Sequence, residues 1–285
     1  LFGLIEKLFD VTISPDSAPV WHASVRFFRI ERAGKLVGQF YLDPYARAGK
    51  RPGAWMDDVR GRWSRPDVAG TQTPVAHLVC NFADGVEVNG VQNPALLSHD
   101  DVITLFHEFG HAIHGLLSQV KYPRVSGTSV QRDFVEFPSQ VNEMWILWPE
   151  VVENYARHHE TGEKLPQEWI DNLNVARTFN EGHATTSYLA AAILDLAWHS
   201  LNTEEAAKVN DVEAFEAQAI KDYGLDFAPV PTRYRSTYFS HIFAGGYSSG
   251  YYGYIWSEVL DADTVDWFKE NGGLKRENGE HFKNT

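Results

Sequence analysis

The reactive side chains of this sequence concentrate in the stretch DDVITLFHEFGHAIHGLL, residues 100 to 117. It carries His107, His111 and His114 with Glu108 beside the first. Imidazole nitrogens ligate divalent metals and a neighbouring carboxylate takes up protons, so metal-assisted hydrolysis is within reach of these residue types. The rival reading is a polar seam in a packed core, since a buried histidine needs a partner of either kind.

Helix geometry separates the pairs. His107 and His111 lie about 40° and about 6 Å apart on an α-helix, close enough for both rings to converge on one ion. His107 and His114 are separated by about 10.5 Å along the axis, too far for zinc–nitrogen bonds of about 2.0–2.1 Å. His111 with His114 is sterically possible but leaves Glu108 idle. His107 with His111 puts Glu108 about a quarter turn away, where it can take a proton from water activated by the ion; this is the H-E-x-x-H pattern.

Catalytic zinc commonly has three protein ligands. The segment SGTSVQRDFVEFPSQVNEMW offers Asp133, Glu136 and Glu143. Glu136 stands between Val135 and Phe137, where a carboxylate is costly unless it is paired or ligates a cation. Asp133 has Arg132 as a salt-bridge alternative. Glu143 lies two helical turns from Glu136 on nearly the same face, suited to accept a hydrogen bond from a ligand histidine. Spacing alone leaves Glu136 open between ligand and ordinary helix-start carboxylate.

The elements that must position these groups are mainly helical, at 99–119, 138–158, 166–200, 212–221 and 248–270. Ser98 and Asp101 form an N-cap signal for the histidine helix. Val102, Phe106, Phe109, Ile113 and Leu116 recur at buried-helix spacing. Residues 24–43 read as a hairpin around Ala33-Gly34-Lys35, 74–82 as β-like, and 46–74 as irregular. The fold expected is mainly α with a small sheet.

Composition narrows the function classes. The net charge of −13 argues against nucleic-acid binding, which needs clustered Lys and Arg. No run approaches the length of a membrane span. The single Cys80 rules out an intramolecular disulfide and suits a reducing, cytoplasmic compartment. The chain opens on Leu1 and closes in a polar, helix-like stretch, so it reads as a piece of a longer protein, truncated at both ends.

FHEFGHAIH followed by SGTSVQRDFVEFPSQ resembles the M3 zinc metallopeptidases, the thimet oligopeptidase and oligopeptidase A group. GQFYLDPYARAGKR and FSHIFAGGYSSGYYGYIWSEVL extend the resemblance over nearly the whole chain. RDFVEFPSQVNE, PTRYRSTYFSHIFAGGY and DWFKENGGLKRENG look most like bacterial dipeptidyl carboxypeptidase. The resemblance implies a zincin-like catalytic domain of the neurolysin type over residues 1–285, without the family's N-terminal helical part, which the fragment is expected to need for activity.

The same resemblance implies one zinc ion per chain, held by His107, His111 and Glu136, with Glu108 as general base and oligopeptides as substrates. Matching positions imply oxyanion stabilisation by Tyr254, His241 beside it in catalysis, and substrate contacts by Tyr247 and Tyr251. A peptidase that releases C-terminal dipeptides must also bind a free carboxylate, for which arginine is suited, so Arg233 and Arg235 are the candidates. The hairpin edge at 36–42 is a further candidate, for pairing with an extended substrate. Two alternatives stand beside this reading: an oligopeptide endopeptidase, and a non-catalytic zinc- and peptide-binding fragment.

Overall fold

The computed structural model describes residues 1–65, 67, 70–88 and 90–284. It is helical with a small sheet, as the sequence pattern predicts. The chain divides into two compact units. The first comprises residues 1–164 and 257–285, the second residues 165–256.

The first unit opens with α1 (Phe2–Phe9), β1 (Thr12–Pro15), β2 (Arg26–Arg32) and β3 (Lys35–Tyr45). It continues with β4 (Trp55–Arg60), β5 (Trp63–Ser64), β6 (Thr71–Gln72), β7 (Val75–Phe82), β8 (Glu87–Val88) and β9 (Val91–Gln92). The five-stranded sheet has the order β1-β2-β3-β7-β4, with only β3 and β7 parallel. The hairpin β2–β3 turns at Ala33 and Gly34, both at positive φ. Alternation along β3 buries Gly38, Phe40 and Leu42 on one face. Strand β4 falls in the stretch expected to be irregular, because only Trp55 and Met56 are even partly buried and the rest of it is an exposed edge without alternation.

Helix α2 (His99–Leu116) packs on that sheet and carries the histidines. Its capping box is present: Ser98 Oγ accepts from Asp101 N–H at 3.1 Å, and Asp101 Oδ2 accepts from Ser98 N–H at 2.9 Å. Phe106, Phe109, Ala112, Ile113 and Leu116 are buried, and Phe109 meets Phe40 of β3 edge-to-face at 5.3 Å. Next come α3 (Phe137–Glu143), a 3₁₀ turn at Met144–Leu147, and α4 (Pro149–Tyr155). The sequence expects one helix over 138–158, but Pro149 ends the run, because its missing N–H and restrained predecessor suit only a fresh start.

The second unit holds α5 (Gln167–Ala176), α6 (Glu181–His199), α7 (Thr203–Ala206), α8 (Val212–Asp222) and α9 (Ser240–Phe243). The helix expected over 166–200 breaks at Asn180, which is left-handed at φ 56°. Helix α10 (Gly253–Glu270) begins in the second unit and continues in the first, which α11 (Arg276–Asn284) closes against α1. Among the described residues, no helix is long and apolar enough to cross a membrane.

Candidate metal centre

Position on α2 and a close approach by α3 build the site in the first unit. Gly110 makes the approach possible: a Cβ there would stand 2.6 Å from Ser139 Cα and 2.9 Å from the Pro138 carbonyl oxygen. Both distances are prohibitive for backbone neighbours, so only glycine lets the two helices meet this closely. Asn142 Nδ2 donates to the Phe106 carbonyl at 2.6 Å and ties α3 to α2. Glu136, just ahead of α3, is thereby delivered to the histidine face, and Ser139 Oγ donates to its carbonyl at 2.7 Å.

His107 Nε2 lies 3.2 Å and His111 Nε2 3.1 Å from Glu136 Oε2. The three ligand atoms all fall within 4.8 Å of one another. Ligands on a tetrahedron with bonds of about 2.0–2.1 Å stand about 3.3 Å apart, so these spacings fit one zinc-sized ion with little adjustment. Two neutral imidazoles and one carboxylate are also a donor set characteristic of catalytic zinc. Asp133 and His114, the other candidates, lie outside the group.

The electrostatics follow from burial. Glu136 is 2% exposed, and burial opposes its charge. Hydrogen bonds from His107 and His111 outweigh that opposition and hold its carboxyl well below the usual range. Burial likewise opposes a charge on His107, but hydrogen bonds to Glu136 and Glu143 prevail and raise its pKa to about 10. Glu143 is the outer partner: its Oε1 is 2.6 Å from His107 Nδ1, the contact anticipated from its place on the helix face. With Nε2 turned to the ligand group, Nδ1 carries the hydrogen and donates.

Glu108 is 7% exposed, and burial raises its pKa against the pull of His107 and His111. Its Oε2 has no hydrogen-bond partner among the described residues. The backbone amide of Met56, on β4, also bonds this carboxylate. A carboxylate so raised, with one oxygen uncommitted, is suited to take a proton and release it again.

Sequence reasoning misjudged the sheet edge. Residues 36–42 belong to β3, which pairs with β2 along this stretch and with β7 from Gln39 onward, so it is an interior strand and not an edge. The sheet's edge strands are β1 and β4, and among the described residues β4 pairs with β7 alone. It escaped notice because its exposed residues, Asp57, Asp58 and Arg60 among them, lack strand periodicity. Gly110 was also passed over, although a glycine inside a strongly helical run is itself a sign of close packing.

The second unit gathers the aromatic candidates. Tyr247 stacks on Tyr254 at 5.4 Å, Tyr251 meets Tyr254 at 5.2 Å, and His241 lies 6.3 Å from Tyr247 and 6.5 Å from Tyr254. Tyr251 is buried with Ala191, Ala192, Phe239 and Ile242, so its ring packs the loop from within. Arg233 lies over the Tyr234 ring at 5.9 Å. Arg235 is held differently: its Nε pairs with the buried carboxylate of Glu216, which also accepts from Ser236 N–H at 2.8 Å. That pairing commits one side of the guanidinium, though 45% of the side chain stays exposed.

Comparison with known proteins agrees with this chemistry. The profile described as "Peptidase family M3" matches residues 1–285. The chain is 45% identical to the dipeptidyl carboxypeptidase of Salmonella typhimurium, aligned over 100% of this chain and 41% of that protein. It is 42% identical to oligopeptidase A of the same organism, over 99% of this chain and 41% of that protein. It is 37% identical to the probable cytosolic oligopeptidase A of Arabidopsis thaliana, over 100% of this chain and 41% of that protein. The chain thus spans about two fifths of the length of these relatives.

Proposed function

The chain belongs to peptidase family M3, and on that premise we propose that it is the zinc-dependent catalytic region of a peptidase releasing dipeptides from the C-termini of short peptides. The observation that carries this reading is the convergence of His107, His111 and Glu136, with the buried Glu108 alongside. The fold is then a zincin-like domain of the neurolysin type.

His107, His111 and Glu136 would hold the zinc, which when bound would supply Lewis-acid chemistry. Glu108 takes the proton of the attacking water on its uncommitted Oε2 and passes it to the nitrogen of the leaving amine. Burial favours this role, because it keeps the pKa of Glu108 above the ordinary carboxylate value and so makes it a stronger base. Glu143 fixes the His107 ring through Nδ1. Tyr254 donates its phenol hydrogen to the carbonyl oxygen as negative charge builds there, with His241 as a neighbouring donor. Tyr247 contacts the peptide and Tyr251 supports it from the packed side of the loop. Arg233 and the open side of Arg235 bind the terminal carboxylate.

The greater identity to a dipeptidyl carboxypeptidase than to oligopeptidase A favours exopeptidase action, with oligopeptide endopeptidase as the second reading. Peptides blocked at the N-terminus, with free or amidated C-termini, separate the two. Release of dipeptides from the free-carboxyl peptides alone supports the first, and equal cleavage of both forms supports the second. A cytoplasmic location is proposed with it, supported by the likeness to the probable cytosolic oligopeptidase A of Arabidopsis thaliana. Neither nucleic acid nor a membrane surface has a part in the proposed activity, which is proposed to need the family's N-terminal helical part as well.

A further inference from the structure

One buried charge has no part in the proposed chemistry. Asp195, in α6, is fully buried. A carboxylate in that position must be compensated, or folding would exclude it. Among the described residues its side-chain partner is His199, whose Nδ1 is 2.8 Å from Oδ1. The remaining compensation comes from backbone amides more than fifty residues along the chain. Ser249 N–H donates to Oδ1 at 2.9 Å, and Tyr251 N–H donates to Oδ2 at 2.9 Å.

Each carboxylate oxygen therefore holds a different amide of the segment that leads into α10. Two bonds from one rigid group fix that segment's direction as well as its distance. Ser249 adopts φ 54°, a left-handed conformation that a serine takes only when its surroundings require it. Tyr188, two turns earlier on α6, grips the other side of Tyr251: its hydroxyl donates to the Tyr251 carbonyl at 2.6 Å. Helix α6 thus clasps Tyr251 through both of its peptide groups. Tyr247 and Tyr254 flank the clasped residues, and the stacking of their rings depends on where that segment sits.

We propose that Asp195 is the positioning residue of the tyrosine loop, clasping the Ser249 and Tyr251 amides so that Tyr247 and Tyr254 meet the substrate in one arrangement. The proposal rests on the reading that this loop acts on the peptide. Asp195→Asn tests it, because an amide of equal size offers one acceptor and one donor, so one loop N–H loses its partner and faces another N–H. Amide hydrogen exchange across residues 248–252 is expected to accelerate at least about tenfold, with residues 99–116 unchanged. In the zinc-loaded protein kcat should fall about tenfold to a hundredfold, as for a small misplacement of a catalytic group, with KM and zinc content within about twofold.

Unchanged exchange at 248–252 overturns the proposal, and so does acceleration spread evenly over residues 165–256. Local acceleration with kcat intact also overturns it, provided Tyr254→Phe does lower kcat. If Tyr254→Phe leaves turnover untouched, the assignment of the loop to catalysis fails instead, and the exchange result alone decides Asp195. Should the Asn variant not fold, His199→Gln weakens the same clasp from its other side. It is expected to accelerate exchange at the same residues to a smaller extent, and no change there overturns the proposal.

Discussion

Glu143 Oε1 lies 2.6 Å from Nδ1 of His107, so this ring enters the ligand group with its orientation already fixed. The bond sets the tautomer and raises the basicity of Nε2, the nitrogen turned towards Glu136. Removing the carboxylate by Glu143→Ala should weaken zinc affinity about 10- to 100-fold while leaving the fold intact. Competition against a chelator of known affinity measures this, and an unchanged affinity would show that the contact is incidental.

Gly110 makes a second, purely steric prediction. Gly110→Ala drives a methyl group into Ser139 Cα and the Pro138 carbonyl, both backbone atoms that cannot rotate away. Helix α3 must retreat, at a cost of about 1–3 kcal/mol, and Glu136 moves with it. Denaturant unfolding should show the loss of stability and chelator competition a parallel loss of zinc affinity. Full stability with native affinity would mean that α3 does not depend on this approach.

Much of the first unit's site was legible in the sequence because helix periodicity is local. His107, His111, Glu108 and the Ser98–Asp101 cap all follow from the spacing within one helix. Glu136 was ambiguous for a physical reason: its role depends on how close α3 comes to α2, and that distance is set by Gly110, a residue with no side chain to announce it. The edge strand β4 stayed hidden because exposed edges carry no alternation, whereas β3 was recognisable and so attracted a role that its two paired sides forbid. Asp195 was invisible for a similar reason, since its partners are backbone amides and any sequence supplies those.

Cys80 should behave as an inert thiol. It is fully buried on β7, and burial, reinforced by the charge of Glu108, pushes its pKa up to about 12. The thiolate is the nucleophile, so iodoacetamide at pH 8 should leave the native protein unlabelled over hours and modify it within minutes in denaturant. Rapid stoichiometric labelling of the native state would contradict the packing described for β7.

His114 gives the fold an acid weakness. Burial and the nearby charge of His111 lower its pKa from 6.5 to about 4. Well above pH 6.5 the ring is neutral in folded and unfolded states alike and does not affect stability. Between pH 6.5 and 4 the unfolded chain binds a proton that the folded chain does not, so stability falls as pH falls. Between pH 7.5 and 5 the loss from this one group should be about 2 kcal/mol. His114→Leu, compared with the original chain in metal-free buffer, should flatten the pH dependence by that amount; parallel curves would refute the assignment.

Glu108 is the proposed base beside an ion held by His107, His111 and Glu136. The most direct test of this role is hydrolysis of an N-blocked peptide by Glu108→Gln, with zinc content measured on the same sample. One zinc per chain is expected in both proteins, with turnover reduced by at least about a thousandfold in the variant, the order expected when a general base is lost from a preorganised site. Turnover within about tenfold of the original at equal zinc content would contradict it.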